Sequence, residues 1–127
     1  MSLINLEYVD VTNGLEQKRT LEFSKDLITC AYKPESLFVI KVDGCSMQPL
    51  INDKNLVVAD LSQTSLKNDD IYLIYKDNKM WIKRVKILNE RIYFVSINKQ
   101  YAHLIFENNE VRVVAKALLT FTSLTTL

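Results

Sequence analysis

The sequence predicts a mainly β domain. Short β-branched and aromatic runs recur at intervals of roughly ten residues, Asn- and Asp-rich turns separate them, and no segment sustains a helical period. A chain of 127 residues, 48% of them hydrophobic, suffices for one compact domain with a core and not for two.

Residues 3–12 read as an extended arm ending at the turn pair Asn13-Gly14. Residues 15–36 are weakly patterned, with a charged stretch, Glu16-Gln17-Lys18-Arg19, and a short apolar run at Leu27-Ile28 closed by Pro34. They are expected to form a loop with one short strand. From Leu37 the pattern sharpens, and 37–42 is a strand ending at Asp43-Gly44. A second strand covers 56–59, after the polar turn 52–55, and a third covers 71–75. The turn Lys76-Asp77-Asn78-Lys79 makes a hairpin of the third strand with a fourth, 80–87. Asn89-Glu90-Arg91 turns into 92–97, and the last long strand runs over 111–121. The expected architecture is a sandwich or a partly closed barrel. Residues 1–36 form an arm and loop, residues 37–127 a β core, and both belong to one domain.

Sixteen basic and 15 acidic side chains leave a net charge of +1, which offers no broad electrostatic footprint for nucleic acid. No apolar run approaches the roughly 18 residues of a spanning helix, and no signal peptide opens the chain, so a soluble cytoplasmic protein without membrane contact is expected. Cys30 and Cys45 are expected as free thiols. With two cysteines and one histidine, no zinc spacing is available, and neither metal nor cofactor is expected.

Chemistry is suggested by Gly44-Cys45-Ser46-Met47-Gln48-Pro49, a turn after a strand, and by Lys83. Side chains alternate along 80–87, so Lys83 shares a face with Trp81, Val85 and Ile87, while Arg84 and Lys86 share the other. An amine on an apolar face loses affinity for its proton through desolvation. A neutral amine can accept the proton of a serine hydroxyl; a solvated lysine, with a pKa of about 10.4, mostly cannot. Ser46 would then be the nucleophile, the backbone N–H groups of Cys45 and Ser46 would receive the oxyanion, and Gly44 would permit the turn. Plainer readings exist: Lys83 packs its stem and lifts its head to water, and Ser46 caps the turn or a short helix starting near Met47. A Cys45/His103 pair is a rival, but nothing in the sequence brings His103 to Cys45.

Gly44-x-Ser46-Met47-x-Pro49, followed by Trp81-Ile82-Lys83-Arg84-Val85, resembles the self-cleaving domain of LexA-type repressors, lambdoid phage repressors and UmuD mutagenesis proteins, in the clan that includes type I signal peptidases. The interval from Ser46 to Lys83 is like that of LexA and UmuD. The resemblance covers residues 4–124 and is sharpest over 37–87. It implies a LexA carboxyl-terminal-like β fold, Ser46 as nucleophile, Lys83 as general base, and the chain's own polypeptide as substrate. It also implies a homodimer, DNA contact only through a helix-turn-helix domain missing here, and a RecA filament as trigger in an SOS response. On that basis the chain is expected to be a carboxyl-terminal repressor fragment or a stand-alone UmuD-like protein. A non-cleaving dimerisation module is the alternative. A signal peptidase is disfavoured, because the later Gly-Asp-Asn box is lacking.

Three departures stand out. The candidate scissile bond, Asn13-Gly14, has Asn where the family usually has Ala or Cys. The family's Asp-Gly-Asp turn is Asp53-Lys54-Asn55, and a later turn glycine is replaced by Asp69.

Overall fold

A computed structural model describes residues 2–122; Met1 and residues 123–127, the outer ends of the arm and core spans, lie outside the described residues. β1 (Leu3–Thr12) and β2 (Leu15–Ser24) form a two-stranded antiparallel ribbon. The other strands are β3 (Leu37–Lys41), β4 (Leu56–Asp60), β5 (Ile71–Lys76), β6 (Lys79–Leu88), β7 (Arg91–Val95), β8 (Phe106–Glu107) and β9 (Arg112–Phe121). They make one antiparallel seven-stranded sheet in the order β3-β4-β9-β5-β6-β7-β8. Among the described residues the only helical segments are short 3₁₀ turns. The fold is mainly β, as the turn spacing predicts, and the sheet does not close into a barrel.

The stretch 15–36 is not the expected loop. Its first ten residues are β2, paired with β1 along their whole length, and Leu27 lies in a 3₁₀ turn instead of a strand. Asn13 and Gly14 both have positive φ, 53° and 77°, the two-residue turn whose twist matches the flanking strands. The first six residues of β2 are exposed, so no buried stripe marks the strand in the sequence. Backbone pairing with β1 makes it one. At its base, Phe23 packs against Leu37, Val39 and Val58, with Ile4, Leu6 and Tyr8 of β1 completing that cluster. At its tip the ribbon is unpacked, and Leu15 is 68% exposed.

Both faces of the sheet carry cores. Neighbours Val57 and Val58 fall in different clusters, as do Leu73 and Ile74, because successive side chains point to opposite sides. One cluster gathers Met47, Ile51, Val57 and Leu73; another gathers Tyr72, Ile74, Val85, Phe94 and Phe106.

The β6–β7 turn is Asn89-Glu90, one residue shorter than expected, since Leu88 pairs with Arg91. Both turn residues have positive φ, 50° and 67°. The positions where glycine is replaced behave likewise: Lys54 has φ 69° and Asp69 has φ 73°. A left-handed backbone costs a side-chain-bearing residue about 1–2 kcal/mol. Lys54 is exposed, and its N–H bonds Val42 O at 2.7 Å, a contact that glycine retains. Lys54→Gly is therefore expected to raise the unfolding free energy by about 0.5–1 kcal/mol, after the greater chain entropy of glycine is counted. Urea denaturation of both proteins checks this.

Candidate active site

The turn bearing Ser46 leaves β3 and is held at both ends. Val42 N–H donates to Asn55 O at 2.8 Å, and Gly44 N–H, on a residue with φ 116°, donates to Asp53 Oδ1 at 2.9 Å. Met47, only 2% exposed, anchors it in the core beside Ile51, whose N–H donates to Met47 O at 2.9 Å. The Gln48–Pro49 peptide is cis. Ser46 itself is half-buried. Of the two capping alternatives, a short helix starting near Met47 is absent, since the residues around Ser46 form turns. Among the described residues neither the Ser46 hydroxyl nor the N–H groups of Cys45 and Ser46 have a hydrogen-bond partner.

Lys83 lies in the middle of β6 between β5 and β7, and its exposure is 0%. The plainer reading, with its head in water, is thereby overturned. Its stem shares a face with Val85, as strand alternation predicts, and its Nζ sits 5.4 Å from the Trp81 ring centre and 5.2 Å from that of Phe106. Nζ donates to the Ser96 hydroxyl and to Leu104 O, the latter at 3.0 Å. Burial pushes the Lys83 ammonium down to about 8. The adjacent Arg84, on the opposite face, has its Nε buried without a partner among the described residues.

Ser46 and Lys83 meet on one short segment after β7. Lys83 bonds Ser96, and Asn98 N–H donates to Ser46 O at 2.9 Å while Asn98 Nδ2 donates to Cys45 O at 2.9 Å. No direct hydrogen bond joins Ser46 to Lys83 among the described residues. Sequence reasoning missed Ser96, Asn98 and Leu104. Continuing the observed pair Arg84↔Val95 by one step sets Lys83 opposite Ser96. The signal was the two-residue turn: reading Asn89-Glu90-Arg91 as the loop slips the register by one and puts Ile97 there instead.

Asn13-Gly14 closes the ribbon and makes no hydrogen bond to the Ser46 turn or to Lys83 among the described residues. The ribbon packs beside β3, four strand positions from β6, roughly 19 Å across the sheet at the usual strand spacing. Yet Asp10, near its tip, ion-pairs with Lys41 at 2.7 Å. Lys41 ends β3 and leads into the Ser46 turn, so the ribbon tip is tied to that end of the sheet. His103 is exposed and makes no bond to Cys45; both cysteines are free thiols. No helix among the described residues is long and apolar enough to cross a membrane.

A buried ammonium without a carboxylate partner depresses folding stability. The unfolded chain holds the Lys83 proton up to about pH 10.4, whereas the folded chain sheds it near 8. Stability contributed by this group therefore rises with pH between those values and is lowest below pH 8. Lys83→Met is expected to be more stable than the parent at pH 7 by on the order of 1–3 kcal/mol, with the advantage vanishing above about pH 10.5. Denaturant titrations at pH 7, 9 and 10.5 measure it.

The Peptidase S24-like family matches residues 8–118. An uncharacterized HTH-type transcriptional regulator of Haemophilus influenzae is 34% identical over 79 residues, 61% of this chain and 33% of that protein. The 26 kDa repressor protein of Escherichia phage HK022 is 28% identical over 111 residues, 83% of this chain and 47% of that protein. The chain thus spans between a third and a half of these relatives.

Proposed function

The chain belongs to the Peptidase S24-like family, and from that premise we propose that it is the regulatory domain of a LexA-like or phage-type transcriptional repressor, with a Ser46/Lys83 dyad that cuts its own polypeptide. The observation that carries this is the fully buried Lys83, without a carboxylate partner among the described residues and joined through residues 96–98 to the Ser46 turn. An unpaired buried amine is costly for a structure and useful for a base. The repressor role is supported by the descriptions of the two relatives, and DNA contact would belong to sequence outside this chain.

In the proposed reaction Ser46 Oγ bonds the scissile carbonyl carbon as its proton passes to Lys83 Nζ. The free N–H groups of Cys45 and Ser46 receive the oxyanion. Collapse breaks the C–N bond, and the Lys83 ammonium gives its proton to the departing amine. Water, deprotonated by the amine of Lys83, then hydrolyses the ester to a new carboxyl terminus and restores Ser46.

The candidate scissile bond, Asn13-Gly14, lies at the exposed tip of a ribbon whose apolar packing is confined to its base and which the Asp10–Lys41 ion pair ties to the end of β3. Ends with few buried contacts open at small free-energy cost, so the tip can leave its place beside β3 and enter the site, where tethering supplies local concentration. Dimerisation is proposed through β9, where Leu118 and Leu119 line an apolar groove with exposed Leu50. The closed turn at Asn13-Gly14 favours one second reading, a dimerisation module that no longer cleaves.

Mass spectrometry of protein incubated from pH 6 to 10 separates the two. A fragment beginning at Gly14 is expected, its rate rising about tenfold per pH unit below 8 and levelling above. It should be absent from Ser46→Ala and Lys83→Ala. Intact protein at every pH, with concentration-dependent dimer in sedimentation, would establish the non-cleaving module.

A further inference from the structure

We infer that Ser96-Ile97-Asn98 is the positioning element of the site: the Ser96 hydroxyl orients the Lys83 amine while Asn98 holds the Ser46 turn against it. The inference rests on the Ser46/Lys83 reading above and assigns a role to residues outside the dyad.

A neutral lysine amine has two N–H bonds and one lone pair around nitrogen, besides its bond to Cε. Here two acceptors are in place, the Ser96 hydroxyl and Leu104 O at 3.0 Å. With both N–H bonds so engaged, the lone pair has one direction left, and rotation about the last side-chain bond is stopped. A buried amine without such partners would spin among three positions and spend only part of its time aimed at a proton. Trp81 and Phe106, packed edge to face at 5.1 Å, close the apolar side and offer no competing acceptor of σ type.

The nucleophile is fastened to the same segment. Asn98 uses its backbone N–H on Ser46 O and its side-chain amide on Cys45 O, both at 2.9 Å. Its own carbonyl oxygen Oδ1 accepts from Gln100 N at 3.1 Å, which fixes the amide orientation. One residue, Ile97, separates the two clamps, so motion of this segment carries base and nucleophile together.

Other groups near Lys83 do not replace Ser96. Tyr72, opposite on β5, has its hydroxyl engaged by Ser65 O and Lys67 N. Lys76 Nζ lies 4.9 Å from the Phe106 ring centre and is itself paired with Asp77. Arg84 and Lys86 face the other side of β6, where Lys86 pairs with Asp69. His103, beside Leu104, is exposed.

The test compares the full chain with Ser96→Ala, Ser96→Thr and Asn98→Ala, using two readouts: the pH profile of the Ser46-dependent fragment, and the Lys83 titration followed by NMR of ¹³Cε-labelled lysine. Ser96→Ala removes an acceptor of the ammonium, so the Lys83 midpoint is expected to move below that of the parent, while the plateau rate falls roughly 10–100-fold through lost aim. A merely structural role would lower both rate and stability without moving the midpoint. Ser96→Thr, which keeps the hydroxyl, is expected to restore both. Asn98→Ala is expected to lower the plateau and leave the midpoint in place. An unchanged Lys83 midpoint in Ser96→Ala overturns the inference, whether or not cleavage occurs. A moved midpoint in a parent protein that yields no Ser46-dependent fragment supports the orientation of the amine by Ser96 and overturns the peptidase reading instead.

Discussion

The burial of one amine organises this molecule. Lys83 has no exposed surface and, among the described residues, no carboxylate partner and two neutral acceptors, and its neighbours are arranged to keep it so. β5 and β7 flank it in the sheet, and Trp81 and Phe106 lie over it. The two-residue β8 owes its place to this arrangement, since it brings Phe106 beside Phe94 and puts Leu104 O within reach. An ammonium so enclosed loses its hydration with only partial return, and its affinity for the proton falls for that reason alone.

Asp60 shows what the chain does with a buried charge that has only a structural task. It too is fully buried, which by itself would raise its carboxyl, yet Gln63, Ser62 and Lys33 N–H all donate to it and hold it below the usual carboxylate range. Its lone pairs are filled, and it knots the segment before β3 to the end of β4. Lys83 receives no comparable compensation. The contrast between a satisfied buried anion and an uncompensated buried cation in the same small domain is the physical reason for proposing a chemical role for Lys83.

Turn geometry carries much of the rest. The hairpins close on two-residue turns with positive φ at both positions, and the register that each turn imposes decides which side chains face one another. One such register sets Lys83 against Ser96; another pairs β2 with β1 although β2 buries little. In two further places, Lys54 and Asp69, residues with side chains occupy a conformation suited to glycine. Asp69 turns its place to use, pairing with Lys86 and donating its N–H to Val85 O at 2.8 Å.

Much was legible without coordinates. Period-two alternation and Asn/Asp-rich turns determine the β class and most strands of the large sheet, and the same alternation puts Lys83 on the face of Val85. Local pattern suffices there because it is the strand itself that selects the face. The ribbon was not legible, because β2 is held by backbone pairing that leaves no apolar period. Nor were Ser96, Asn98 and Leu104: a hydroxyl, an amide and a main-chain oxygen become significant only when a distant residue lies opposite them. The sequence by itself determined that this chain is a β domain with a serine on a turn and a lysine on an apolar face. Only the tertiary structure decided that the lysine is enclosed on all sides and tied through residues 96–98 to the serine's turn, because enclosure and register are made by segments far apart in the chain.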